Sequence, residues 1–143
     1  MRVTHWPPDV VEARWPEIAV LVSAAMDHAT LGFSLLDMYE LLVNGFYQLE
    51  VIEDERGIAA VIAYRVRMKT HGRLLSMELC SGRDMERWMP SYFEHLLDIA
   101  RKNGCKGLEL VGRMGWSRAL SRILPGRVSV QSVICVAEVP DAQ

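Results

Sequence analysis

The stretch Met77–Trp116 reads as a strand, a turn, a helix, a second strand and the start of another helix, an arrangement that can offer an anion a site at its turn. Leu75, Met77 and Leu79 alternate with Ser76, Glu78 and Cys80, the period of a half-buried strand. From Ser91 the period changes, and Phe93, Leu96, Leu97 and Ala100 fall on one helix face. Asn103-Gly104 stops that helix, because glycine enters the left-handed C-cap conformation without a Cβ clash. Leu108, Leu110 and Val111 then form a short buried strand. A strand-helix-strand unit implies a parallel pair and a right-handed crossover. It offers a ligand the strand's C-terminal edge and the helix N-terminus. The turn at 81–90 therefore decides which chemistry is open. It sets Gly82, Arg83 and Arg87 beside the acidic Asp84 and Glu86, and Gly82 by itself is what a plain turn also requires.

Other candidate chemistry is sparse. Residues 101–127 carry seven basic side chains (Arg101, Lys102, Lys106, Arg113, Arg118, Arg122, Arg127) against Glu109. That run is either a solvated surface or a site for phosphates or an acidic partner. The net charge of −2 argues against nucleic-acid binding through bulk charge, and no nucleic-acid motif accompanies the basic run. Cys80, Cys105 and Cys135 are widely spaced, with no CxxC and no Cys/His pair at zinc spacing, so reduced thiols and no metal are expected. His5, His28 and His95 share no catalytic or metal spacing, and His71 falls in a turn.

These residues must be carried by one domain spanning 1–143, large enough for a real core. Residues 1–10 read as an extended lead-in, since Pro7-Pro8 lacks backbone donors, and 11–139 as the core. Pro16 suits a first helical turn, followed by the stripe Ile18, Leu21, Val22, Ala25 and Met26. Residues 28–32 connect to a second helix, which Ser34 and Asp37 open as a capping box and Gly45 ends. Its buried side is Leu35, Met38, Tyr39, Leu42 and Val43. Strands follow at 46–53, 58–69 and 73–80, joined by turns at 54–57 and 70–72, a three-stranded antiparallel meander. The run Ile58-Ala-Ala-Val-Ile-Ala63 is continuously apolar, as in a central strand. After the strand at 106–111 come a short helix over 114–124, ended by Pro125-Gly126, and a closing strand over 127–139. The order is ααβββαβαβ, an α/β (α+β) fold with a mixed sheet. The opening MRVTHWPPDV lacks the apolar core of a signal peptide, and no apolar run approaches the ~20 residues of a membrane span.

That order resembles the GNAT (GCN5-related N-acetyltransferase) fold over roughly 11–139. The closest local match is ARKNGCKGLEL at 100–110, similar to the family's long helix, glycine stop and following strand; GRMGWSRALSRILPG at 112–126 sits where the family has its last helix. The resemblance implies a mixed sheet, acetyl-CoA as cofactor, and a Q/R-x-x-G-x-G/A loop whose amides hold the pyrophosphate. Here an anchor on Arg83 puts Glu86 and Trp88 at the glycine positions, and an anchor on Arg87 puts Pro90 and Tyr92 there. Many members also place a tyrosine acid in the last helix. This helix has none; Ser117 and Ser121 are its nearest hydroxyls. An amine acceptor needs a general base, for which Glu50, Glu78 and His71 are candidates. Glu78 is the best placed, on the strand entering the site, and its plainer reading is a solvent-facing carboxylate.

The chain also resembles short GNAT-like proteins encoded by tailed bacteriophages, through its length and its RKNGCKGLEL and GRMGW segments. This implies a virion-associated or assembly protein without a cofactor, in the host cytoplasm or in the particle. It would bind other phage structural proteins or itself, with no membrane and no nucleic acid as partner. Its candidate contacts are Trp88, Trp116, Arg118 and Arg122. The alternative is a CoA-dependent N-acyltransferase with a divergent site. It would use Glu78 as base and Leu79, Cys80, Ser81, Gly82, Arg83 and Arg87 toward CoA.

Overall fold

A computed structural model describes residues 1–27, 32, 34–111, 115–123 and 126. The chain falls into two compact units, Met1–Arg113 and Met114–Gln143. The first is built on the expected meander: β2 (Gln48–Asp54), β3 (Gly57–Lys69) and β4 (Gly72–Gly82), antiparallel in sequence order. Asp54 caps the first turn, its carboxylate accepting the Arg56 N–H at 2.8 Å. Ala59 to Tyr64 are all buried, because β3 is central and covered on both faces. β5 (Cys105–Leu110) pairs parallel to β4, as the crossover geometry requires.

Residues 2–6 are a correction to the extended lead-in. They form β1 (Arg2–Trp6), antiparallel to β2 from Arg2↔Glu53 to Trp6↔Leu49. Trp6 is buried in the core, with the Arg14 guanidinium 4.4 Å from its ring centroid. The order of the described elements is β1-α1-α2-β2-β3-β4-α3-β5-α4. The expected closing strand over 127–139, Cys135 within it, and residues 28–31 of the connection lie outside the described residues.

Helix α1 (Pro8–Met26) begins earlier than the proline at 16 suggested. Pro8 occupies its first turn, where the missing N–H costs nothing. Pro16 lies inside, just past a break at Arg14 (φ −116°, ψ 17°), so it opens the second of two merged helical segments. Helix α2 (Leu35–Val43) carries the expected capping box: Asp37 N–H donates to Ser34 Oγ at 3.2 Å, and Ser34 N–H to Asp37 Oδ2 at 2.9 Å. Ile18, Val22, Met38 and Leu42 of these helices pack on Leu49, Val51, Val61, Ala63 and Leu79, one face of the sheet. Helix α3 (Met85–Lys102) covers the other face, since Tyr92 and His95 reach Glu50, whose side chain alternates with Leu49 and Val51.

The described part of the second unit is chiefly α4 (Gly115–Ile123), on which Arg118 and Arg122 are exposed and one turn apart.

Candidate functional site

The turn between β4 and α3 is much shorter than 81–90. β4 runs to Gly82, Arg83 and Asp84 make the turn, and α3 starts at Met85. Asp84 takes a left-handed conformation (φ 56°), tolerated by aspartate better than by most residues. Pro90 sits inside the helix, where it leaves the carbonyl of exposed Glu86 without a helical donor.

Each notable feature of this turn points back into the protein. A Cβ on Gly82 would lie 2.3 Å from the Ala59 carbonyl oxygen and 2.4 Å from Ala60 Cβ. The glycine therefore lets β4 lie against β3. Arg83 N–H donates to that same Ala59 oxygen at 2.9 Å, and its guanidinium grips Asp54 at 2.7 and 3.2 Å. Ala59 is the extra residue of a β-bulge, opposite the step from Ile52 to Glu53, which frees its carbonyl for this bond. Trp88 is 3 % exposed and donates its indole N–H to the Arg83 carbonyl at 2.9 Å, so it is not the surface contact expected of it. Arg87 is exposed, and its N–H goes to Asp84 at 3.0 Å. The remaining first-turn amides, of Met85 and Glu86, share the turn with the Asp84 and Glu86 carboxylates. This set does not fit a pyrophosphate: its glycine contacts a strand, its nearer guanidinium is paired, and its charge includes two acids.

Glu78 departs from its plainer reading as a solvent-facing carboxylate of an alternating strand. Ala63 pairs with Leu79 and Tyr64 with Met77, so Glu78 is the extra residue of a β4 bulge. Leu79 joins the core cluster that contains Tyr47, while Glu78 accepts the Tyr47 hydroxyl at 2.6 Å. Two successive residues thus serve one side of the sheet. Glu78 is buried, not solvent-facing, and its second oxygen accepts Arg65 Nε at 2.8 Å. Arg65 also lies 5.1 Å from the Phe46 ring centroid and 6.0 Å from that of Tyr47. Burial, then the Glu78 carboxylate, raises the Tyr47 phenol well above its ordinary range.

A second buried carboxylate lies on the α3 face. Glu50 accepts the Tyr92 hydroxyl at 2.8 Å and pairs with His95 Nε2 at 2.7 Å. Burial and the Glu50 charge push Tyr64 up to about 12, and the same two causes raise Tyr92 strongly. Tyr92 and His95 stand three apart on α3, a spacing that sequence reading could have joined. A third carboxylate, Glu109 on β5, takes Arg67, Lys69 (2.9 Å) and Ser76 Oγ (3.0 Å). Burial alone would raise it, but these three donors outweigh burial and hold it below its ordinary range.

Of the expected CoA-side residues, Leu79 is core, Cys80 and Ser81 are half-buried on β4, and Arg83 is paired. Leu79 to Gly82 nevertheless lie on a strand whose β5 ladder ends at Met77↔Leu110, with Val111 N–H adding one bond to the Met77 carbonyl. Of the expected partner contacts, Arg118 and Arg122 are exposed, and the Trp116 side chain lies outside the described residues. His71 is exposed in its turn. Among the described residues no His, Cys, Asp or Glu cluster has metal-binding geometry, and no helix is long and apolar enough to cross a membrane.

No family model and no curated protein matches the sequence. Solved structures do match its shape. An aminoglycoside acetyltransferase from an uncultured soil metagenomic sample superposes with a TM-score of 0.68 at 11 % identity, over 97 % of this chain and 96 % of that one. The chain has a GNAT-like fold. The ribosomal-protein-alanine N-acetyltransferase of Brucella melitensis gives 0.67 at 11 % identity, over 96 % of this chain and all of the other. An aminoglycoside 6'-N-acetyltransferase from Acinetobacter haemolyticus gives 0.64 at 13 %, over 99 % and 100 %. At such identities the GNAT-like likeness is one of fold, and chemistry has to be argued from the site.

Proposed function

We propose that this chain uses a GNAT-like fold without CoA and works by holding a protein partner, as a structural or assembly component of a bacteriophage particle. The observation that supports this is the β4–α3 turn, whose glycine, arginine and indole donor are engaged with Ala60, Asp54 and Arg83 of the chain itself. The phage setting rests on the sequence resemblance. The partner-facing residues are Arg118 and Arg122, exposed on one face of α4. Calorimetric titration of the full chain with acetyl-CoA, with thermal denaturation alongside, tests the reading. No saturable heat and no melting shift are expected; micromolar binding that raises the melting temperature overturns it. Particles assembled with the Arg118→Glu, Arg122→Glu chain are expected to lack it, while the purified variant still melts cooperatively. Normal incorporation removes these two residues from the contact.

A second reading, a CoA-dependent N-acyltransferase with a divergent site, is favoured by one feature and by the activities of the solved neighbours. β4 continues from Glu78 to Gly82 beyond its ladder with β5, so a strand edge adjoins a buried carboxylate. Glu78 is the residue placed to accept a proton there, on exchanging its bond from Tyr47 or Arg65. The same titration separates the two readings.

A further inference from the structure

We infer that the far end of β3, Arg65–Lys69, is an acceptor edge for an extended peptide whose residues alternate between acidic and apolar. The sheet itself supplies the edge. β2 stops pairing with β3 at Gln48↔Tyr64, whereas β4 stays paired to Lys69↔Gly72. Over those five residues β3 is hydrogen-bonded on one side, and among the described residues nothing pairs with the other. A strand added there would continue the line of β2 and take up main-chain donors and acceptors that have no ladder partner among the described residues.

The two faces of this edge differ in a way that specifies the guest. On one face stand Arg65, Arg67 and Lys69, three cations sharing two carboxylates, Glu78 and Glu109, so one positive charge is left over. Exposed His71 and Arg73 follow at the hairpin tip. On the other face Val66 and Met68 are 39 % and 71 % exposed; Phe46, where β2 would have continued, is 50 % exposed and meets the Arg65 guanidinium. A cleft of about 480 Å³ opens at this edge, lined by Phe46, Gln48, Tyr64, Arg65, Val66, Ile99 and Asn103. It gives room to an apolar side chain every second residue, while intervening carboxylates meet the cations. A second copy of this chain is a poor guest. Antiparallel pairing centred on Arg67 sets arginine against arginine and Arg65 against Lys69, like charges directly opposed. Basic residues on an exposed edge also discourage self-association in general. Exposed Val66 and Met68 beside them mark this edge as one that still receives a chain of the opposite sign.

This proposal stands whether or not acetyl-CoA binds, because it uses neither the β4–α3 turn nor α4. The test is selection of a displayed library of randomised peptides of about seven residues, the length of an ordinary strand, against the full-length protein. Winners are then mapped by amide chemical shifts. Enrichment of alternating acidic and apolar sequences is expected, with shifts concentrated at 46–48 and 65–69. A Val66→Lys, Met68→Lys variant, checked for an unchanged melting temperature, is expected to lose affinity by roughly tenfold or more. N-methylation of alternate peptide amides is expected to abolish binding, as main-chain pairing demands. Should that variant fail to fold, Met68→Lys alone serves. The proposal is overturned by no enrichment, by winners without alternation, by shifts elsewhere, or by N-methylated peptides that bind equally well. Single-stranded DNA giving the same shifts overturns it in favour of a nucleic-acid surface.

Discussion

Replacing Gly82 by alanine distinguishes a glycine kept for phosphate from one kept for the sheet. The new methyl would stand 2.3 Å from the Ala59 oxygen, 2.4 Å from Ala60 Cβ and 2.6 Å from Ala60 Cα. Two of these three are backbone atoms of a central strand and cannot swing aside, so β4 must lift until contacts near ~3.5 Å return. Lifting strains or breaks the 2.9 Å bond from Arg83 N–H to Ala59 O. Overpacking costs ~1–3 kcal/mol and a lost hydrogen bond ~1 kcal/mol, so the loss is ~2–4 kcal/mol. For a chain of this size that is a fall in melting temperature of roughly 5–15 °C. Urea and thermal unfolding followed by circular dichroism measure both quantities. A variant within ~0.5 kcal/mol of the parent, the range of an uncommitted surface position, refutes the reasoning and returns the glycine to a ligand.

Changing Arg65 to Met leaves the Glu78 carboxylate buried with Tyr47 as its remaining partner, and should cost ~3–5 kcal/mol; recovery of most of that loss on adding Glu78→Gln, in a double-mutant cycle, checks the assignment. Ser34→Ala removes half of the α2 capping box and should lower stability by ~0.5–2 kcal/mol in urea titration. Glu109 has a depressed folded pKa, so its stabilisation is complete above its unfolded value and disappears as pH falls through the folded one. Glu109→Gln should therefore flatten the acid limb of the stability curve while changing little of its slope at neutral pH. Tyr64 is raised to about 12 and Tyr47 and Tyr92 are also raised, so their stabilisation is complete below the unfolded pKa near ~10 and is lost above it. Phenolate absorbance from these three should appear together with unfolding, and smooth titration of a still-folded protein would contradict their burial.

Much of the fold was legible because its signals are local. The capping box spans four residues, the meander turns are four or fewer, and the parallel pair follows from one helix and a glycine stop. β1 was not legible as a strand. Its partner begins 43 positions downstream of Trp6, and Pro7-Pro8 gives the segment the look of a tail. The candidate site was obscured by non-local pairs. Arg83 reads as a free cation until Asp54 is brought beside it from another strand. Glu78 reads as outward-facing because alternation has no way to announce a bulge. Trp88 lies at i−4 from Tyr92 and i−8 from Leu96, a stripe that Pro90 disguised by suggesting a helix that starts later. The β3 edge was half visible, in that the strand read over 58–69 is longer than the one read over 46–53.

The pairing of β1 with β2 also imposes an order on how the molecule comes into being. Arg2 to Trp6 are synthesised before both helices, and their partners, Leu49 to Glu53, only after them. Until then Trp6 has no core to enter, and the α1-α2 pair has no sheet to lie on. The β2-β3-β4 meander closes through short turns and can assemble without waiting, since nearby contacts carry the smaller chain-entropy cost. β1 thus docks later than its place in the sequence suggests. Bulk attached just ahead of Arg2 would therefore burden the docking of β1 and leave the short turns of the meander untouched.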